Sequence, residues 1–258
     1  MLNYKNTDVF FYVIFILLLL FSFFVGVNWY WFLVLLVVRF IILLIGSSLI
    51  FLNFHVKACC NNPFETEQNI AITFDDGPSP NTLLVLDLLK KYEVKATFFC
   101  IGKNIEKHPE LLTKIIQKGH IVGNHSFSHS RFFDFFRKKR VLQEIENTNE
   151  LIQKITGKKV RFFRPPYGVT NPSIRKALEV TKHQVIGWNI RSMDGLIKSE
   201  SIIYNRIINR ISPGAIILMH DTTLQSVNVL EKVLLFLKEN KYKVVSLEQL
   251  LNSKAYEN

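Results

Sequence analysis

The sequence is short of cysteine, of acid and, over its first fifty-odd residues, of charge of either sign, and each shortage narrows what it can be. Its three cysteines, Cys59, Cys60 and Cys100, have no metal-ligand spacing, and an adjacent pair rarely bridges without strain. No disulfide framework is read, and the redox compartment is left open. Only 11 glycines and 8 prolines occur in 258 residues, with no internal repeat or low-complexity tract, which excludes collagen-like and disordered classes. Acidic residues number 21 against 32 basic ones, for a net charge of +11. Clusters such as Arg137-Lys138-Lys139-Arg140 and Lys158-Lys159 suit polyanions or anionic lipid head groups, or form an ordinary solvated face. No nucleic-acid motif accompanies them, so nucleic acid is not an expected partner.

The missing charge at the N-terminus has a positive counterpart. Val9 to Val27 is an uncharged apolar run close to the roughly 20 residues that a helix needs to cross a bilayer. Trp29, Tyr30 and Trp31 follow, rings of the kind that settle at the membrane interface, and then a second apolar stretch from Phe32 to about Phe54. Arg39 near its middle must pair, snorkel or lie nearer an edge. Residues 1–60 are therefore expected to form a membrane segment of one or two helices, with a helical hairpin favoured. A cleaved signal peptide is the alternative for the first helix, but its apolar run exceeds the usual h-region. Lys5 and Lys57 leave the orientation undecided.

Residues 61–68 read as a polar linker, 69–252 as one catalytic-sized domain and 253–258 as a tail. In the domain, short apolar runs alternate with amphipathic helical patterns: IAITF, a helix through Leu83 to Tyr92, ATFFCIG, a helix through Ile105 to Lys118, HIVGN, then a long helix ending near Gly157. RFFRP, HQVIGW, AIILMH and KVVSL continue the rhythm, with helices from Ser173, around Ile202 to Arg210 and across Val227 to Leu237 between them. Repeated strand and helix units imply a parallel α/β sheet or barrel buried on both faces.

Polar residues gather where these strands end, the place where such folds carry their sites. Asp75-Asp76-Gly77-Pro78, His125 to His129, Arg164-Pro165-Pro166-Tyr167-Gly168 and His220-Asp221 each have a plain reading alone: turn chemistry, surface polarity, a braced turn, a core-edge histidine. Two histidines four apart can share a helix face or a turn and bind a metal. Together these segments supply two carboxylates, three imidazoles and a guanidinium at equivalent strand ends, which favours a site.

The motifs TFDDGP at Thr73 to Pro78, HSFSH at His125 to His129, RPPYG at Arg164 to Gly168 and LMHD at Leu218 to Asp221 resemble those of polysaccharide deacetylases. That family is also called carbohydrate esterase family 4 or the NodB-homology domain, and the match runs from about Ile70 to Leu251. The resemblance implies a distorted (β/α) barrel and a divalent metal, usually zinc, with cobalt, manganese or iron as alternatives. It makes Asp76, His125 and His129 the ligands, Asp75 the base, and Arg164 the group that orients Asp75. Tyr167 would offer its backbone N–H to the oxyanion, His220 would protonate the leaving amine beside Asp194, and Leu218 would border the acetyl group. One stretch departs from the pattern: many members have an acid at the place of Arg191 and a tryptophan at that of Gly195, so this wall of the groove is reshaped. The expected activity is removal of N-acetyl groups from an amino-sugar glycan such as peptidoglycan, a chitin-like oligomer, or a lipid-linked or surface polysaccharide. An O-acetyl esterase or non-sugar amidase with the same site, and an inactive glycan-binding membrane protein, are the competing readings. A membrane-anchored enzyme with an extracytoplasmic catalytic domain is the expected setting; the oligomeric state is not read.

Overall fold

The computed structural model describes residues 3–257. Two apolar helices come first, α1 (Tyr4–Val25) and α2 (Tyr30–Ser48), antiparallel about a turn at Gly26, which is left-handed at φ 71. Most side chains along both are exposed, as they must be if the surrounding medium is lipid. Arg39 does not stand alone: its guanidinium pairs with Asp8 of α1 and lies over the Tyr12 ring. In a bilayer, this pairing would reduce the cost of an isolated cation.

The domain alternates β1 (Ala58–Cys59), β2 (Asn69–Gly77), α3 (Thr82–Lys91), β3 (Thr97–Cys100), α4 (Gly102–Lys107), α5 (Pro109–Gln117), β4 (Ile121–Asn124) and α6 (Lys138–Thr156). It continues through β5 (Phe162–Phe163), α7 (Pro172–Thr181), β6 (Gln184–Ile186), β7 (Ile190–Arg191), α8 (Glu200–Ile208), β8 (Ile216–His220), α9 (Leu224–Glu239), β9 (Lys243–Val244) and α10 (Leu247–Leu251). The strands pair in parallel in the order β1, β6, β5, β4, β3, β2, β8, β7, with β9 added on the start of β2. The path closes in an irregular way. β6 lies near one end and β7 at the other, yet they are consecutive pieces of one run interrupted at Gly187 to Asn189. This is a barrel with one broken seam, the distorted (β/α) barrel that the motifs imply.

Both faces of the sheet are covered. Ile70, Ile72 and Phe74 of β2 join Phe98, Val85, Leu89 and Met219 in the largest core cluster, while Ala71 faces the barrel interior with Phe99 and Ile216. Phe74 and Phe98 stack with centroids 5.0 Å apart; truncating either to alanine costs about 3–5 kcal/mol. Helix α6 places Val141, Ile145, Thr148 and Ile152 on its buried face and stops at Gly157, which takes φ 71. Helix α7 begins where the Asn171 side chain caps Ile174 N–H and Pro172 occupies the first turn.

Three expectations differ from what is observed. The helix expected over Ile105 to Lys118 is two, α4 and α5, because Pro109 cannot continue the first and starts the second. Ala58–Cys59 enters the sheet beside β6, and Asn61 bridges Ala215, so the domain takes up chain that reads as membrane segment and linker. The stretch that reads as a tail is held in place: Ala255 is fully buried and Tyr256 bridges Val160.

Candidate active site

Four strand ends converge on a cavity of about 260 Å³ at the C-terminal end of the barrel, which is lined by both aspartates of β2, three histidines, Tyr167, Arg191 and Leu218. A bulge at the end of β2 turns Asp76 to φ 68, so the two consecutive carboxylates, which a regular strand would send to opposite faces, both reach the cavity. Gly77 is required there: a Cβ would stand 2.5 Å from the Asp221 carboxylate. Ser126, His129, Tyr167 and Met193 also take left-handed φ. Such strain in non-glycine residues persists where surrounding contacts impose it.

Those contacts can be named. His125 to His129 is a loop rather than a helix turn. Glu144, buried on α6, accepts hydrogen bonds from the backbone N–H groups of Phe127 (3.1 Å) and Ser128 (2.7 Å) and from the Ser128 hydroxyl (2.8 Å). The Asn124 side chain accepts from Ser126 N–H at 2.8 Å and donates to Ile145 O on α6. On the other side, Asn104 donates to Asp76 O at 2.8 Å.

Asp76, His125 and His129 present ligand atoms that all lie within 4.8 Å of one another. Asp76 Oδ1 is 3.5 Å from His125 Nε2 and 3.4 Å from His129 Nε2, and it is a buried oxygen with no hydrogen-bond partner among the described residues. An orphaned carboxylate oxygen facing two imidazole nitrogens is the arrangement a cation satisfies. His125 Nδ1 donates to Arg164 O at 2.7 Å, which fixes the tautomer and leaves Nε2 free to ligate. Burial opposes ionisation of Asp76, but His125, His129 and His220 overcome it and hold the carboxyl well below its usual range. Burial, assisted by charge on His125, lowers His129 to about 4. The donor set of two nitrogens and one oxygen fits a borderline divalent metal.

Arg164 is the largest fully buried side chain. Its guanidinium donates to Asp75 Oδ1 at 2.7 Å, to Thr73 Oγ1 at 2.8 Å, and to the carbonyls of Ile186 and Gly187 at 3.1 and 2.8 Å. The last two belong to the broken seam, so one residue closes the barrel and positions Asp75. Its cation lies 4.1 Å from the Phe99 ring centroid and 5.5 Å from that of Trp188. The hydrogen bond from Arg164 goes to Oδ1 of Asp75, and Oδ2 lies 3.8 Å from His125 Nε2.

His220 closes β8 on the far side. Its Nδ1 lies 2.7 Å from Asp194 Oδ1, its backbone N–H donates to Asp194 Oδ2 at 2.9 Å, and Ser192 donates to the same carboxylate at 2.6 Å. Burial alone would lower His220; the hydrogen bond and charge of Asp194, with Asp75 and Asp76, raise it instead to about 9. Its Nε2 faces inward, 3.7 Å from Asp76 Oδ2. All the site residues named from sequence therefore meet in one place. Thr73, Asn104, Glu144 and Ser192 were not singled out. For Glu144 a signal existed, since it interrupts the apolar stripe of α6 three residues after Val141.

The fold and this constellation define a class, and comparison with known proteins names it. The polysaccharide deacetylase model matches residues 64–186. The solved Bc1960 peptidoglycan N-acetylglucosamine deacetylase superposes with a TM-score of 0.72 at 30% identity, over 78% of this chain and 95% of that one. The chain belongs to the polysaccharide deacetylase family. The peptidoglycan-N-acetylmuramic acid deacetylase PdaC of Bacillus subtilis is 36% identical over 70% of this chain; the chain spans 38% of that relative's length. BA3943 of Bacillus anthracis, described as a CE4 family pseudoenzyme, is similar at 28% identity with a TM-score of 0.67, over 72% of this chain and 66% of that one. The fold thus occurs with and without activity, and the side chains at the strand ends must carry the functional argument.

Proposed function

We propose that this chain is a metal-dependent N-deacetylase of an acetylated amino-sugar glycan, anchored in the membrane by α1 and α2 with its barrel on the extracytoplasmic side. The observation that carries the reading is the orphaned Asp76 Oδ1 between two imidazoles, flanked by a carboxylate held by Arg164 and an imidazole held by Asp194. A binding protein needs neither a base nor an acid at such a place.

Asp76, His125 and His129 would hold the metal, which when bound would polarise the acetamide carbonyl and acidify water. Asp75 accepts a proton from the attacking water through Oδ2, because Arg164 engages Oδ1 and fixes the carboxylate plane. As the carbonyl carbon becomes tetrahedral, the N–H of Tyr167 donates to the new oxyanion, and Leu218 borders the acetyl methyl. His220 then gives its Nε2 proton to the sugar nitrogen as the carbon–nitrogen bond breaks, leaving acetate and a free amine. Asp194 keeps that imidazole protonated and pointed inward. Gly195 leaves the space above His220 open, since even a Cβ there stays 3.9 Å from the ring, and Arg191 puts a cation on the same wall.

The test is acetate release from acetylated chitooligosaccharide and peptidoglycan fragments by the full chain in detergent micelles, with chelator and then with zinc restored. A truncation at residue 65 would remove β1 and the Asn61 bridge, so the whole chain is used. Release that stops with chelator and returns with zinc supports the reading; no release from these substrates or from a lipid-linked N-acetyl sugar by zinc-loaded protein overturns it.

A further inference from the structure

The segment that follows metal-site residue His129 is not explained by the chemistry. Arg131 to Arg140 reads RFFDFFRKKR, with five basic residues and one acid. Its phenylalanines divide. Phe133 is fully buried among Val141, Ile145 and Phe163, and Phe136 is half-buried beneath the Arg140 guanidinium. Phe132 and Phe135 turn outward, 61% and 83% exposed. Arg131, Arg137, Lys138 and Lys139 are exposed around them, and the single acid, Asp134, is partly buried. Outward aromatic rings ringed by cations are the composition of a surface that enters a bilayer interface and meets anionic head groups.

The fold puts this surface beside the membrane hairpin. Ser47, in the last turn of α2, accepts a hydrogen bond from Thr170 N–H at 2.9 Å. The neighbouring Asn171 side chain donates to Asp134 O at 2.8 Å. Tyr167, three residues before Thr170, packs on His129 with ring centroids 4.7 Å apart. The end of α2, the loop carrying Phe132 and Phe135, and the rim of the catalytic cavity are therefore linked by direct contacts.

We infer that Arg131 to Arg140 docks the rim of the catalytic cavity onto the anionic bilayer surface that the hairpin spans, and that the substrate is an acetylated amino sugar carried on a membrane lipid. The inference rests on the deacetylase reading for its substrate, and on the loop and hairpin contacts for its geometry. Charge complementarity and continuity with the apolar helices select a lipid surface over a soluble polyanion.

The experiment uses the full chain in nanodiscs of phosphatidylcholine with and without phosphatidylglycerol. First, Phe135→Trp is compared with the parent chain for quenching by lipids brominated near the head group. Quenching beyond that of the parent, stronger with phosphatidylglycerol, is expected; none overturns the docking. Second, Phe132→Ala/Phe135→Ala and Arg137→Glu/Lys138→Glu are assayed on soluble chitotetraose and on N-acetylglucosamine diphosphate-linked to a polyprenol. Both variants should keep the rate on the soluble substrate and lose about tenfold on the lipid-linked one, given roughly a tenfold contribution for each one or two lost membrane contacts. Equal rates of parent and variants on the lipid-linked substrate overturn the substrate assignment. Failure of the parent on both substrates strikes the deacetylase reading instead, while the bromolipid result still decides the docking.

Discussion

The two ends of the barrel hold cavities of opposite character. The larger one, about 560 Å³, lies at the N-terminal end of the strands among Lys91, Lys238, Lys241, Lys243, Tyr92 and Tyr242, with ion pairs from Lys91 to Glu231 and Lys243 to Glu67. The smaller, about 260 Å³, holds the histidines and paired aspartates. Size would choose the first. Chemistry chooses the second, because there buried carboxylates, imidazoles with displaced ionisation and left-handed non-glycine residues meet in one cavity. Parallel strands deliver this difference, since their C-terminal ends feed the loops that carry side chains away from the core.

The largest effect expected from breaking the comparison is at Asp75. On the proposed mechanism, Asp75→Asn should retain metal, since the three proposed ligands are untouched, and lose about 10²–10⁴-fold in kcat/KM. Asp76→Asn should lose metal and activity together. Metal content measured beside acetate release separates them, and full activity in Asp75→Asn would remove it from the base role. At the other end, Glu231→Ala should leave rate and melting temperature unchanged, because an exposed pair with Lys91 contributes little.

Asp194→Asn comes next. It removes the carboxylate that raises His220, so the acid form is lost at lower pH. Activity should fall about 10²-fold, with the alkaline limb of the rate profile moved to lower pH. An unmoved alkaline limb would assign the proton donor elsewhere. Glu144→Ala tests the support of the same end: it strands two partly buried N–H groups and a hydroxyl, at a cost of about 2 kcal/mol in urea unfolding. Weakened metal binding should accompany it through the loosened His125 to His129 loop.

Acid stability sharpens the contrast at the other end. His120, 5% exposed at the start of β4, accepts from Ala96 N–H, and burial lowers it from 6.5 to about 4. The folded state keeps it neutral while the unfolded chain takes up a proton below 6.5. Stability from this group is therefore present above pH 6.5 and is lost as pH falls toward 4, up to about 3 kcal/mol. Melting temperature followed from pH 7 to 4.5 should fall, and less steeply in His120→Gln.

What could be read from sequence follows the physics of signal length. The active end was legible because its residues cluster beside strand ends in contiguous motifs, and helices such as α3 and α9 because their periodicity runs for several turns. β1 and the packed Ala255 were not, since two-residue strands and single buried residues have no periodicity and exist only through distant partners. The seam role of Arg164 was equally hidden: its bonds to Ile186 and Gly187 depend on a break in a strand that sequence shows as the continuous run HQVIGW.

The smallest effects are expected on the cavity wall that Arg191 and Gly195 form. Gly195 sits where a bulky side chain would lie over His220, and Arg191 lies over the Trp188 ring at 5.7 Å while its carbonyl accepts from Arg206 at 2.9 Å. Neither touches the reacting atoms. Gly195→Trp should narrow the groove and raise KM for branched or peptide-bearing glycans more than for a linear oligomer. Arg191→Ala should raise KM severalfold for an anionic substrate, about 1 kcal/mol, and leave kcat in place, because a cation on the groove wall contributes equally to the ground state and the transition state. An equal loss in kcat would move Arg191 from the wall into the reaction itself.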